Sequence, residues 1–164
     1  MTDTIEEKRT PASHQIDVVA LRDYLAGRVS GIGDTLEAKA FEGGQSNPTF
    51  LLSSGDTRYV LRKKPPGKLL PSAHQVEREH RIISALASTN VPVPQAHLLC
   101  EDASIIGTPF YVMEHVAGRI LRDPALPEIV QGDRRGYYLA MAETLAKLHS
   151  VDYVAAGLGD YGKP

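Results

Sequence analysis

"YVLRKKPPGKLLPSAHQVEREHRIISAL", residues 59–86, decides how this chain folds. It opens as a strand. Strand side chains alternate, so Val60 and Arg62 share one face while Leu61 and Lys63 share the other. The prolines at 65, 66 and 71 stop any regular element from running on. Ser72 with Gln75 three residues later then makes a capping box for a helix. In that helix Val76, Glu79, His80, Ile83, Leu86 and Ala87 fall on one face, and Glu77 lies off it.

Two readings of these charges are open. In one, the strand is an exposed edge with two solvated cations, and Glu79 reaches water from the margin of the apolar stripe. In the other, Val60 looks into a cleft and Arg62 with it, so the cation needs an anion. Glu79, costly beside apolar residues unless a cation meets it, supplies that anion. The short connection between strand and helix favours this second arrangement. Lys63 then faces away, and replacing it with alanine is expected to be nearly neutral.

Working outward, "FEGGQSNPTFLL" (41–52) precedes the strand. Strands are expected at 36–42, 49–53 and 58–63, the last two joined by a turn at Ser54-Gly55-Asp56. The double glycine is either a plain hairpin or a loop that lets backbone amides approach a phosphate, with Ser46 or Asn47 adding a side-chain donor. Towards the N-terminus, Asp17 caps a helix over 18–29 that ends near Gly27. Beyond "VPVP" (91–94) come two more strands at 96–101 and 109–116, then a helix from about Asp133 to His149. Strands with one helix inserted, then more strands and a helix, make an α+β protein with a mainly antiparallel sheet.

Composition narrows the function. The chain has 164 residues, 42% hydrophobic and 23% charged, as expected of a globular protein with a real core. Its net charge of −2 argues against a nucleic-acid partner. Cys100 is the only cysteine, which rules out an internal disulfide and fits a reducing cytoplasm. No apolar run approaches a membrane span, and residues 1–15 read as a flexible leader. The six histidines show no ligand spacing, so no metal is assigned to them. His149 continues the stripe of Tyr138, Met141, Leu145 and Leu148, and is expected to pack or cap at a helix end rather than act as a base.

A glycine hairpin, a strand with an inward cation and a helix with an inward glutamate, in that order, are the phosphate-handling parts of a kinase small lobe. The chain resembles the aminoglycoside phosphotransferase and choline kinase superfamily. More narrowly, "GGQSNPTFLL", the 59–86 stretch, "VPVPQAHLLCED", "IGTPFYVMEHVAGRILRDPALP" and "LAKLHSVD" are similar to the kinase-like domain fused to acyl-CoA dehydrogenases. The resemblance covers roughly residues 36 to 163.

It implies a kinase-like small lobe over 16–116, with the N-terminal helix, and the hinge exit and start of a helical large lobe over 117–164. Gly43, Gly44, Gln45, Ser46 and Asn47 match the nucleotide-covering loop, departing from the protein-kinase G-x-G-x-x-G pattern. Arg62, beside Val60, stands where protein kinases place a lysine, and Glu79 matches its partner. Met113, Glu114, His115 and Val116 match the hinge, where the backbone of Glu114 and Val116 would hold an adenine.

The implied activity is ATP-dependent phosphorylation of a small-molecule hydroxyl, with a hydroxyacyl-CoA as the suggested acceptor. A choline- or aminoglycoside-type acceptor and a non-catalytic nucleotide-binding or scaffolding module are the alternatives. ATP is the implied nucleotide, and the expected partners are the acceptor and the chain's own C-terminal lobe, with no membrane. The family's catalytic Asp lies in an H-x-D segment followed by a magnesium-binding Asp. No His-x-Asp occurs in these residues, and Gly-Asp at 132–133 and 159–160 lacks the histidine. Magnesium and the catalytic base are therefore expected from the remainder of the large lobe.

Overall fold

The computed structural model describes residues 15–41, 47–68, 70 and 73–162. Helix α1 spans Val18–Leu25, and the Asp17 carboxylate accepts from the Ala20 amide at 3.0 Å, the cap expected from sequence. The strands are β1 (Glu37–Ala40), β2 (Thr49–Ser54), β3 (Thr57–Lys63), β4 (Ala96–Cys100) and β5 (Phe110–Glu114). Helix α2 (Val76–Leu86) lies between β3 and β4 in the chain, and α3 (Arg134–His149) follows β5. The five strands form one sheet in the order β1-β2-β3-β5-β4, each neighbouring pair antiparallel.

That order makes β3 the central strand. The edge-strand reading of Arg62 and Lys63 is thereby excluded. The tight turn between β2 and β3 places Gly55 at φ 55°, a left-handed conformation that glycine adopts without penalty. It sets Phe50 opposite Leu61 and Leu52 opposite Tyr59. Those four side chains share one face with Phe110 and Val112, and α1 covers it with Leu21 and Leu25. The hydrophobic core therefore sits behind the sheet. The other face carries Val60, Arg62, Tyr111 and Met113, and α2 lies against β4 and β5.

Three sequence expectations change. Lys63 does face away from Arg62, but into the core side: it is 3% exposed, and its Nζ donates to the Gln15 carbonyl at 2.8 Å. The core-side face of this central strand is covered at Lys63, so replacing it is no longer expected to be neutral, as alternation alone suggested. Helix α2 begins at Val76, later than the Ser72–Gln75 capping box requires, because His74 takes φ 58° and cannot be helical. Ser72 itself lies outside the described residues. Finally, His149 is the last residue of α3, at a helix end as expected, but it is exposed rather than packed, and no residue of α3 is buried, so the stripe of Tyr138, Met141, Leu145 and Leu148 is uncovered here.

Candidate nucleotide site

The open face of the sheet is built from two rows of paired residues. Val60 lies opposite Met113, and Arg62 lies opposite Tyr111 on one side and Thr49 on the other. Helical periodicity turns Glu79 of α2 onto the same place. Arg62 Nε lies 2.9 Å from Glu79 Oε2, and Arg62 Nη2 donates to Oε1 at 3.3 Å. The Nε contact is an attraction of charges without the alignment of a directed hydrogen bond. Glu79 also belongs to the first turn of α2, where the helix dipole favours a carboxylate.

Two further donors hold Glu79, and sequence reasoning did not foresee either. The Asn47 amide donates to Oε1 at 2.7 Å and the Tyr111 hydroxyl to Oε2 at 3.1 Å. Asn47 is almost fully buried, and its side chain is engaged with Glu79 and His74. Burial raises the Tyr111 phenol well above its ordinary range, helped by the neighbouring Glu79 carboxylate. Beside Tyr111, the His80 ring packs edge-on at 6.0 Å, and burial lowers its tendency to protonate. Alternation from Met113 was the available signal for Tyr111; choosing it required the β3–β5 register.

Next to this polar cluster is a cleft of about 500 Å³ lined by Val60, Pro92, Val93, Pro94, Met113, Glu114 and Val116. Its walls are apolar, as the flat faces of a purine require. Glu114 fixes one wall: its amide donates to the Gln95 carbonyl at 2.8 Å and its Oε2 accepts from the Gln95 amide at 3.1 Å. His115 stands between Glu114 and Val116 without joining the lining. A larger concavity of about 760 Å³ runs along α3 between Val91 and Leu148. It has no ionisable side chain beyond two tyrosine phenols, so it offers a phosphate no cation.

The structure thus brings together Asn47, Val60, Arg62, Glu79 and Met113 on one side of the sheet, with Glu114 and Val116 lining the adjoining cleft. Gly43, Gly44, Gln45 and Ser46 lie outside the described residues. Among the described residues, no group of three His, Cys, Asp or Glu side chains is placed to hold a metal. No helix of the described residues is long and apolar enough to cross a membrane.

A family model described as the phosphotransferase enzyme family matches residues 37–164. Acyl-CoA dehydrogenase family member 11 of Rattus norvegicus is 48% identical over 153 residues, which is 91% of this chain and 20% of that protein. Acyl-CoA dehydrogenase family member 10 of Mus musculus is 51% identical over 146 residues, 88% of this chain and 14% of that protein. Among solved structures, a Ralstonia eutropha JMP134 protein assigned as an aminoglycoside phosphotransferase superposes with a TM-score of 0.77 at 44% identity. That match covers 92% of this chain and 43% of the solved one. The chain thus spans a fifth or less of these curated relatives and under half of the solved protein.

Proposed function

Since the chain belongs to the phosphotransferase enzyme family, and its antiparallel five-stranded sheet with few helices is the kinase-like fold, we propose that it forms the nucleotide-facing part of an ATP-dependent kinase acting on a small-molecule hydroxyl. The observation that carries this reading is the Arg62–Glu79 pair set beside an apolar cleft. The adenine lies between Val60 and Met113 on one side and the 92–94 segment on the other, with its edge towards the backbone of Glu114 and Val116. Its phosphates extend along the sheet to Arg62, whose charge offsets theirs. Glu79 keeps that guanidinium on the cleft side.

Transfer moves the γ-phosphoryl group from ATP to the acceptor oxygen: the bond from the γ-phosphorus to the β–γ bridging oxygen breaks, ADP leaves with that oxygen, and the hydroxyl proton is released to solvent. Such a reaction is catalysed mainly by position and charge, which is what this face supplies. The relatives' names point to an acyl-CoA setting, and a hydroxyacyl-CoA is the acceptor class we favour. The name of the solved relative favours an aminoglycoside-type acceptor as the second reading.

The test is ADP release by the full-length protein, supplied with ATP, magnesium and panels of hydroxyacyl-CoAs, amino alcohols and aminoglycosides. Release that depends on a hydroxyacyl-CoA is the expected result. Dependence on an amino alcohol or aminoglycoside selects the second reading. No release with any acceptor contradicts a kinase and leaves a nucleotide-binding or scaffolding module.

A further inference from the structure

Arg62 has two tasks in this site: it must meet Glu79 and also a phosphate. A guanidinium that was the sole partner of the carboxylate would have to abandon it to reach the ligand. The geometry removes that conflict. Asn47 holds Oε1 at 2.7 Å, shorter than the 3.3 Å from Arg62 Nη2, and Tyr111 donates to Oε2 at 3.1 Å, where Arg62 Nε stands at 2.9 Å without the alignment of a hydrogen bond. Each carboxylate oxygen thus has a neutral donor of its own.

The orientation of the Asn47 amide follows from the chemistry of its partners. An ionised carboxylate only accepts, so Nδ2 faces Glu79 and Oδ1 faces the other way. There it meets His74 Nδ1 at 3.0 Å, and that ring nitrogen must carry the hydrogen. Asn47 is 3% exposed and is the last residue before β2 bar Pro48, so the strand and the 73–75 segment both fix it. Its position is therefore determined without any help from Arg62.

We propose that Asn47 is a positioning residue, which together with Tyr111 orients Glu79 independently of Arg62 and so frees the guanidinium to turn to a nucleotide phosphate. This rests on the nucleotide-site reading above. It predicts a division among ligands. The part of affinity that comes from phosphates depends on Asn47; the part that comes from the base does not.

The experiment is equilibrium titration of ATP and of adenosine into the full-length protein, wild type and Asn47→Ala. ATP is expected to weaken about tenfold, the scale of a lost hydrogen bond to a charged group, while adenosine stays within about twofold. Retained adenosine binding also reports that the variant is folded. Should Asn47→Ala not fold, Tyr111→Phe carries the test, with the same selective loss of ATP expected at smaller size. Equal weakening of both ligands, or an unchanged ATP affinity, overturns the proposal and leaves the site reading intact. A wild-type protein that binds neither ligand overturns the site reading, and this proposal with it.

Discussion

Arg62 of the central strand and Glu79 of α2 face each other at 2.9 Å, with 30% and 34% of their side chains exposed. That exposure sets the energy scale. A fully wet pair contributes about 0–1 kcal/mol, and breaking a fully buried one costs about 3–5 kcal/mol. Glu79→Ala also strips the Asn47 amide and the Tyr111 hydroxyl of their acceptor. The expected loss is about 2 kcal/mol, read from denaturant midpoints at unchanged m-value. A loss below about 0.5 kcal/mol would mean that the four groups are bonded to water in solution.

Lys63 behaves differently from its neighbour although both are cations of one strand. Its stem packs on the core side and its Nζ is spent on Gln15. Lys63→Ala is expected to cost about 1–3 kcal/mol in the same denaturant experiment, through lost packing as much as lost charge. A neutral result would show that the N-terminal segment does not cover this residue.

Two buried groups, Lys63 and Tyr111, have opposite signatures at alkaline pH. Desolvation lowers the Lys63 pKa below its ordinary 10.5. The unfolded chain then holds more protons than the native one, so this group adds stability as pH climbs from the depressed native value towards 10.5. Tyr111 is raised above its ordinary 10.0, so the unfolded chain loses its proton first and stability falls as pH passes 10.0. Melting curves between about pH 8 and pH 11 should therefore fall less steeply for Tyr111→Phe and more steeply for Lys63→Met than for wild type. Parallel curves for all three would contradict the burial of both side chains.

Gly31 offers a test of the fold alone. It has φ 74°, and a Cβ added there would lie 2.7 Å from Thr57 Oγ1. Close by, Gly33 donates to Ser54 Oγ and Tyr59 donates to the Ser30 carbonyl, tying the 30–33 segment to the hairpin. Gly31→Ala is expected to destabilise by about 1–3 kcal/mol in thermal melts, from backbone strain plus the clash. An unaffected melting temperature would place that segment elsewhere.

The Arg62–Glu79 meeting was legible because it needed only two local periods, two residues for the strand and 3.6 for the helix, and a short link between them. Asp17 as a cap and the Gly55 turn were legible for the same reason. What escaped depended on pairing between distant segments. Tyr111 reaches Glu79 only through the β3–β5 register, and Lys63 is buried because its strand is central and the chain at Gln15 returns to meet it. The start of α2 was misplaced because Ser72 and Gln75 satisfy a pattern that the left-handed His74 between them breaks. The apolar stripe of α3 was visible as a pattern, but periodicity says nothing of what covers it.

The account's central claim is that nucleotide binds on the Arg62 face of the sheet. Titration of magnesium-ATP into isotope-labelled full-length protein, followed by nuclear magnetic resonance, tests it directly. The predicted result is a saturable set of shifts at the Arg62 Nε–H, the Val60 and Met113 methyls and the Val116 amide, lost in Arg62→Ala. Shifts confined to Tyr137, Met141, Leu145 and Leu148 along α3, or binding unchanged in Arg62→Ala, would contradict it.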